Sequence, residues 1–209
     1  MNVECASEYR GVLPSLTDLY AGAKSDACAE VEIKFGTLSD RGFTSGVPQE
    51  FYNEQLVKLE TFEGWHRVDD WTDTKDFYFP DHIRGTTYKD GTVEFERKQL
   101  VAERDIQCMQ RPLDLRVSYK QEAPVPPPTA HPIWVRIKKR KSYHYNNFRF
   151  DFSYVWSGAS EAAIAQEPQY EIEIECLDLH DERGCEYLAL SMLMKAHDLL
   201  GREAPIEFL

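Results

Sequence analysis

The chain has 209 residues, a formal net charge of −12 and 42% hydrophobic residues, among them 11 Phe and 11 Tyr. That length suits one domain with small flanks, and the bulky apolar residues supply a core without disulfide staples. The acidic balance argues against an outer surface that grips nucleic acid, and no apolar run approaches the roughly 18 residues that cross a bilayer.

Residues 1–12 read as a weakly ordered start, and Pro14–Ala23 as a short helix with Leu16, Leu19 and Tyr20 at helical spacing. A strand is expected at Glu30–Thr37, followed by a turn-rich loop around Gly42–Gly46. Pro48–Phe62 reads as a helix, because Pro48 suits a first turn and Phe51, Leu56 and Leu59 lie near one face. From residue 74 the pattern is β. Strands are expected at 74–79, 82–89, 92–103, 113–122, 133–144, 147–156 and 168–178. Asp90-Gly91 and, more weakly, Asn146-Asn147 mark hairpin turns. Residues 123–132 carry five prolines and are expected to be a stiff surface connection. Cys185–Leu200 is the clearest helix, with Gly201 stopping it. The expected organisation is an amino-terminal flank over 1–25 and a single domain over 26–209.

Side chains alternate faces along a strand, and here charge recurs on one face of strand after strand. Glu30, Glu32 and Lys34 oppose Val31, Ile33 and Phe35, while Glu94, Glu96 and Lys98 oppose Val93 and Phe95. Arg116, Ser118, Lys120 and Glu122 form the next row, then Arg136, Lys138 and Arg140, then Arg149, Asp151 and Ser153. Glu171, Glu173 and Glu175 form the last, opposite Ile172, Ile174 and Cys176. Eight bases and nine acids share these faces, so they are nearly balanced within a strongly acidic chain. A solvated face laced with ion pairs would explain any one strand. Carboxylates in strict alternation resist it, because like charges about 7 Å apart repel. The expectation is a mainly β (α+β) fold, a closed eight-stranded antiparallel barrel. Its charged face turns inward and its greasy face outward under a few flanking helices.

Carboxylate oxygens suit Mg²⁺ or Mn²⁺, and Glu30 and Glu32 with one or two of Glu171, Glu173 and Glu175 would supply them. Arg140 and Arg149 would clamp phosphates, with Lys138 and Lys98 as point charges and Glu122 orienting an attacking water. No P-loop, calcium loop, zinc spacing or Cys–His pair is present. The five cysteines (Cys5, Cys28, Cys108, Cys176, Cys185) are expected to be reduced, and the six histidines structural. Together these demands fit a polyphosphate or triphosphate end.

Several strings carry a family resemblance: Glu30-Val-Glu-Ile-Lys34, Asp114–Glu122, Arg136–Tyr143, Phe148–Ser153 and Tyr170–Cys176. In this order they resemble the triphosphate tunnel metalloenzymes. The similarity is greatest to the metal-dependent RNA 5′-triphosphatases of mRNA capping in fungi and protozoa. The resemblance implies hydrolysis of the γ-phosphate of 5′-triphosphate RNA to a 5′-diphosphate end. It implies metal binding by Glu30, Glu32 and Glu175, with Glu173 in or next to that shell. Arg84, Lys98, Lys138, Arg140 and Arg149 become phosphate contacts, Asp151 supports the arginines and Glu122 positions the water. Asp76 is a further tunnel acid, and Ser153 stands where the family often has Thr. The role implies the nucleus and a capping guanylyltransferase as partner, although the long amino-terminal extension some fungal members use for that contact is not evident. Monomer and homodimer both fit. The competing readings are a tunnel enzyme acting on tripolyphosphate, thiamine triphosphate or a nucleotide, and a polyanion-binding barrel without catalysis.

Overall fold

The computed structural model describes residues 11–108 and 111–201. The expected start over residues 1–12 falls almost wholly outside them, as does Cys5. Ten strands and three α-helices make up the described chain. The helices are α1 (Leu13–Lys24), α2 (Gln49–Thr61) and α3 (Cys185–Leu200). The strands are β1 (Ala29–Ser39), β2 (Gly42–Ser45), β3 (Arg67–Val68), β4 (Thr72–Tyr78), β5 (Ile83–Tyr88), β6 (Val93–Ile106), β7 (Asp114–Pro124), β8 (Trp134–Tyr145), β9 (Phe148–Gly158) and β10 (Gln169–Cys176).

Eight of these strands close on themselves, in the order β1-β7-β6-β5-β4-β8-β9-β10, and β10 pairs back with β1. All the pairings are antiparallel. Closure leaves no free edge around the ring. β2 and β3 stand outside it. β2 folds back on the end of β1, where a loop was expected, and β3 adds two residues to β8. Neither is long enough to show a period of two in the sequence.

Two turns follow their residues. Gly91 takes φ 87° in the β5–β6 hairpin, and Asn146 takes φ 51° between β8 and β9. Left-handed backbone at these points is what Asp-Gly and Asn-Asn sequences supply. Residues 125–132 run without regular structure between β7 and β8, as their prolines require.

The hydrophobic core lies between the barrel and the helices. Val31, Ile33 and Phe35 of β1, Leu115 and Val117 of β7, Phe148 and Phe152 of β9, and Ile172 and Ile174 of β10 are buried on the outer face. Leu16, Leu19 and Tyr20 of α1 and Leu188, Met192, Leu193 and Ala196 of α3 cover them. The Tyr20 hydroxyl reaches the Met192 sulfur at 3.3 Å. α2 contributes Tyr52, which packs on Phe152, Tyr154 and Tyr170 with ring centroids 5.1–5.3 Å apart. Every apolar side chain buried here is removed from water at roughly 25 cal/mol per Å². A greasy exterior therefore leaves the interior to charge.

One local feature keeps the polar rows inside. A β-bulge between Leu100 and Ala102 of β6 shifts its register against β7. Before it Lys98 faces Glu122, and after it Glu103 and Asp105 face Ser118 and Arg116. The extra residue moves β6 from even to odd inward positions.

Candidate active site

Every strand of the ring sends alternate side chains into the barrel, and they enclose a cavity of about 380 Å³. Eight bases line it (Lys34, Arg84, Lys98, Lys120, Arg136, Lys138, Arg140 and Arg149) against six carboxylates (Glu30, Glu32, Glu122, Asp151, Glu173 and Glu175). A cavity with more cations than anions inside a chain of net charge −12 is a local anion trap.

All the sequence-predicted site residues meet here: Glu30, Glu32, Glu122, Glu173, Glu175, Arg84, Lys98, Lys138, Arg140, Arg149 and Asp151. Asp76 sits beside them, buried and 3.1 Å from Lys138. The balance of the charged faces needs correction. Glu94 is exposed and accepts the Tyr88 hydroxyl at 2.9 Å. Arg116 stands outside the cavity lining, held by Asp105 at 2.6 Å and Glu103 at 3.2 Å. Their strands outrun the cavity, which period-two reading does not reveal. Glu171 is drawn away by Arg136, whose guanidinium reaches both its oxygens at 2.6 and 2.7 Å.

The acids and bases are sorted by strand. β1 and β10 are neighbours, and their register sets Glu32 directly opposite Glu175 and Lys34 opposite Glu173. Glu30 lies two residues further along the same face of β1, with Lys98 at 2.8 and 3.0 Å. Glu32 is buried and touched by Lys120, by Lys34 at 3.2 Å and by the Ser118 hydroxyl at 3.3 Å. Lys34 also pairs with Glu173 at 2.5 Å. Glu122 contacts Lys98, with Arg84 at 3.6 Å. On β8 and β9, buried Asp151 organises the arginines. Its carboxylate takes the Arg149 Nε at 3.0 Å, the Ser142 hydroxyl at 2.6 Å and an Arg140 contact at 3.3 Å.

These contacts fix the charges. Burial opposes ionisation of Glu173, yet Lys34 brings its carboxyl well below the usual range. Glu32 and Glu122 are also lowered against their burial, Glu32 chiefly by Lys34 and Glu122 by a hydrogen bond with Glu30 and then by Lys98 and Arg84. Glu175 goes the other way. Burial pushes it up to about 8, and Glu30, Asp151 and Glu32 add to the rise against the opposing pull of Arg149. Burial is the main cause, and the neighbouring carboxyls, Glu32 opposite among them, add repulsion to it.

That shift predicts a pH-dependent stability. In metal-free protein Glu175 keeps its proton until about 8 when folded, but only to its ordinary 4.5 when unfolded. Across that window the folded state binds more protons, so this group erodes stability as pH rises. Glu175→Gln removes the effect. Its melting temperature relative to the parent should climb from pH 5 to pH 8 and then level off. Each kcal/mol relieved moves the midpoint by roughly 2–4 °C in a domain of this size. A gain that shrinks with rising pH contradicts the assignment.

Among the described residues, no group of three or more His, Cys, Asp and Glu side chains is gathered closely enough to hold a metal ion. The acids instead turn on to Lys34, Lys98, Lys120 and Arg149. The histidines do not enter the cavity lining, and the four described cysteines are free thiols. Among the described residues, no helix is long and apolar enough to cross a membrane. A separate groove of about 620 Å³ between α2 and α3 is lined by Phe62, Trp65, Tyr145 and Leu199 among others, with Lys58, Lys195 and Asp198 as its charged side chains.

Sequence reasoning gave no site role to four contributors. Tyr78 and Arg136 line the cavity, and Lys34 and Lys120 neutralise Glu32. The two lysines were legible as members of charged rows. Their pairing was not, because it depends on which strands are neighbours.

An eight-stranded barrel with charge inside and helices outside is a tunnel architecture, and RNA triphosphatases are among the solved structures that share it. The chain superposes on the Schizosaccharomyces pombe Pct1 RNA triphosphatase with a TM-score of 0.73 and 20% identity, covering 94% of this chain and 93% of that one. The Mimivirus capping enzyme triphosphatase gives a TM-score of 0.66 at 13% identity, over 91% of this chain and 97% of that one. At such identities these likenesses establish the fold. No curated protein matches the chain by sequence. The profile of the family described as "mRNA capping enzyme, beta chain" matches residues 80–185. The chain belongs to that family, the tunnel-type RNA triphosphatases of mRNA capping.

Proposed function

We propose that the chain removes the γ-phosphate from 5′-triphosphate RNA, leaving a 5′-diphosphate end, with Mg²⁺ or Mn²⁺ bound to carboxylates of the tunnel. The observation that carries this reading is the sorting of the interior. Acids concentrate on the neighbouring strands β1 and β10, and arginines and lysines face them from β5, β6, β8 and β9.

The chemistry of the donors suits a hard divalent cation, for which Glu30, Glu32 and Glu175 would turn from their present partners Lys98, Lys120 and Arg149. Glu30, Glu32 and Glu175 offer only carboxylate oxygens, the ligands Mg²⁺ and Mn²⁺ prefer, and few enough to leave room for water and phosphate. Glu32 and Glu175 are opposed carboxyls, and a dication between them would favour the ionised form of both. We assign Glu30, Glu32 and Glu175 as ligands, with Glu173 beside them. Such an ion supplies charge neutralisation at the phosphoryl oxygens.

The remaining chemistry belongs to the protein. Arg140 and Arg149 bind phosphoryl oxygens, and Lys138, Lys98 and Arg84 add positive charge. Asp151 touches both Arg140 and Arg149 and so fixes their forks toward the cavity. Glu122 is favoured in its ionised form by a hydrogen bond with Glu30 and by Lys98 and Arg84, which makes it an acceptor that orients the attacking water. The bond from that water to the γ-phosphorus forms as the bridging β–γ bond breaks, and positive side chains offset the charge that spreads over the phosphoryl oxygens.

The capping role supports residence in the nucleus and contact with a guanylyltransferase. A second structure of Pct1 is a complex with the Spt5 CTD, at 18% identity. We read residues 26–209 as the catalytic domain. Comparing turnover of triphosphate-ended RNA and of inorganic tripolyphosphate at matched Mg²⁺ tests the substrate. Efficient release from RNA is expected. Tripolyphosphate faster by orders of magnitude, with little RNA activity, overturns the choice.

A further inference from the structure

The tunnel opens at one end into a second cavity of about 520 Å³. Arg84, Lys138, Arg140 and Arg149 line both, so the two form one passage. The inner part is lined almost wholly by charged side chains. The outer part differs in chemistry, because Trp71 and Tyr88 bring rings to it. We propose that this vestibule is a nucleoside subsite, in which the first base of the RNA stacks on Tyr88 while the triphosphate lies in the tunnel. The inference rests on the triphosphate reading of the tunnel and extends it to what is attached to the phosphates.

The two rings are not equivalent. Trp71 is already engaged, with the Tyr154 ring 5.3 Å away and the Lys139 ammonium 5.6 Å from its centroid. Tyr88 is 39% exposed, and among the described residues no ring or cation packs on it. Its position is nonetheless fixed. The hydroxyl donates to Glu94 at 2.9 Å. The backbone is pinned by the Tyr88–Thr92 hairpin, with amide-to-carbonyl bonds of 2.9 and 3.0 Å. Tyr88 also shares the inward face of β5 with Arg84 and Thr86, so the ring stands on the path from the phosphate site outward. A rigid, open aromatic face beside a basic channel is how proteins take up single-stranded bases without reading their identity.

The rim limits the footprint. Lys89 and Arg67 line the vestibule together with Asp69, Asp73 and Asp90, and Arg67 is tied to Asp69 at 2.8 Å. Mixed charge gives no track for further backbone phosphates. The subsite therefore takes one nucleoside, with little base preference and little gain from a longer strand.

Calorimetric binding of a nucleoside 5′-(β,γ-imido)triphosphate and of inorganic imidotriphosphate would test this in the parent chain, Tyr88→Ala and Tyr88→Phe. Loss of the ring should weaken the nucleotide on the order of tenfold, as removal of a stacking platform does, and leave the inorganic ligand unchanged. Tyr88→Phe keeps the ring and should bind both as the parent does. Equal weakening of both ligands in Tyr88→Ala, or no weakening of either, overturns the subsite while the triphosphate site stands. Failure of the parent chain to bind either ligand overturns the triphosphate reading and the subsite with it.

Discussion

Glu30→Ala and Glu175→Ala are each expected to lower phosphate release from triphosphate-ended RNA by on the order of 10²-fold or more. Both side chains lie on the paired strands that present the carboxylates, and neither is part of the hydrophobic core between barrel and helices. Removing Glu30 also frees Lys98 from its 2.8 Å partner, which changes the charge at the metal end without opening a void in that core. Folding should therefore persist, and a melting curve beside the phosphate assay separates loss of chemistry from loss of structure. Release near the parent rate in both variants contradicts the metal assignment.

Arg140→Lys should be nearly as damaging, lowering turnover by about 10- to 100-fold, although it preserves the charge. Arg140 is half-buried among Asp151, Glu173, Arg149 and Glu175. Burial opposes its charge, but Asp151 keeps its pKa raised, so a full positive charge persists there. Its value lies in the planar fork, which contacts Asp151 at 3.3 Å while its other donors remain for phosphate. An ammonium is a single point of charge on a flexible stem and cannot hold both relations. Single-turnover measurements would place the loss in the chemical step. A Lys variant within about twofold of the parent shows that Arg140 acts through charge alone.

Much of the barrel was readable because its rule is period two. β4 to β10 lie within a few residues of where alternation puts them, and α3 coincides with its predicted span. The strands carry opposite chemistries on their two faces, so a greasy exterior under helices follows from residues such as Ile172, Ile174, Phe150 and Phe152. The misses have local causes. β2 and β3 are too short to show a period. The β6 bulge reverses which residues of that strand face inward, and no residue type announces it. Arg116 and Glu94 share rows with tunnel residues but lie where their strands extend past the cavity. Glu171 belongs to the glutamate series of β10, yet Arg136 claims it. That depends on which side chains the closed ring brings across from one another.

The site was legible as a set of charged rows, and the resemblance assigned the roles. What pairing adds is the state of the acids. Lys34 and Lys120 both attend Glu32, whereas Glu175 has Arg149 and three carboxyls around it. Tripling a charge along one strand looked like a cation site in sequence. In three dimensions the opposed pair Glu32 and Glu175 gives a more definite reason for one.

The central claim is metal-assisted removal of a terminal phosphate from RNA. Its most direct test is the reaction of the purified chain with 5′-triphosphate RNA, with Mg²⁺ or Mn²⁺ and with EDTA, followed by analysis of the RNA end. One inorganic phosphate per chain end and a 5′-diphosphate product, only when the divalent ion is present, is the predicted result. Equal release in EDTA, or no release under any condition by protein that is folded, contradicts it.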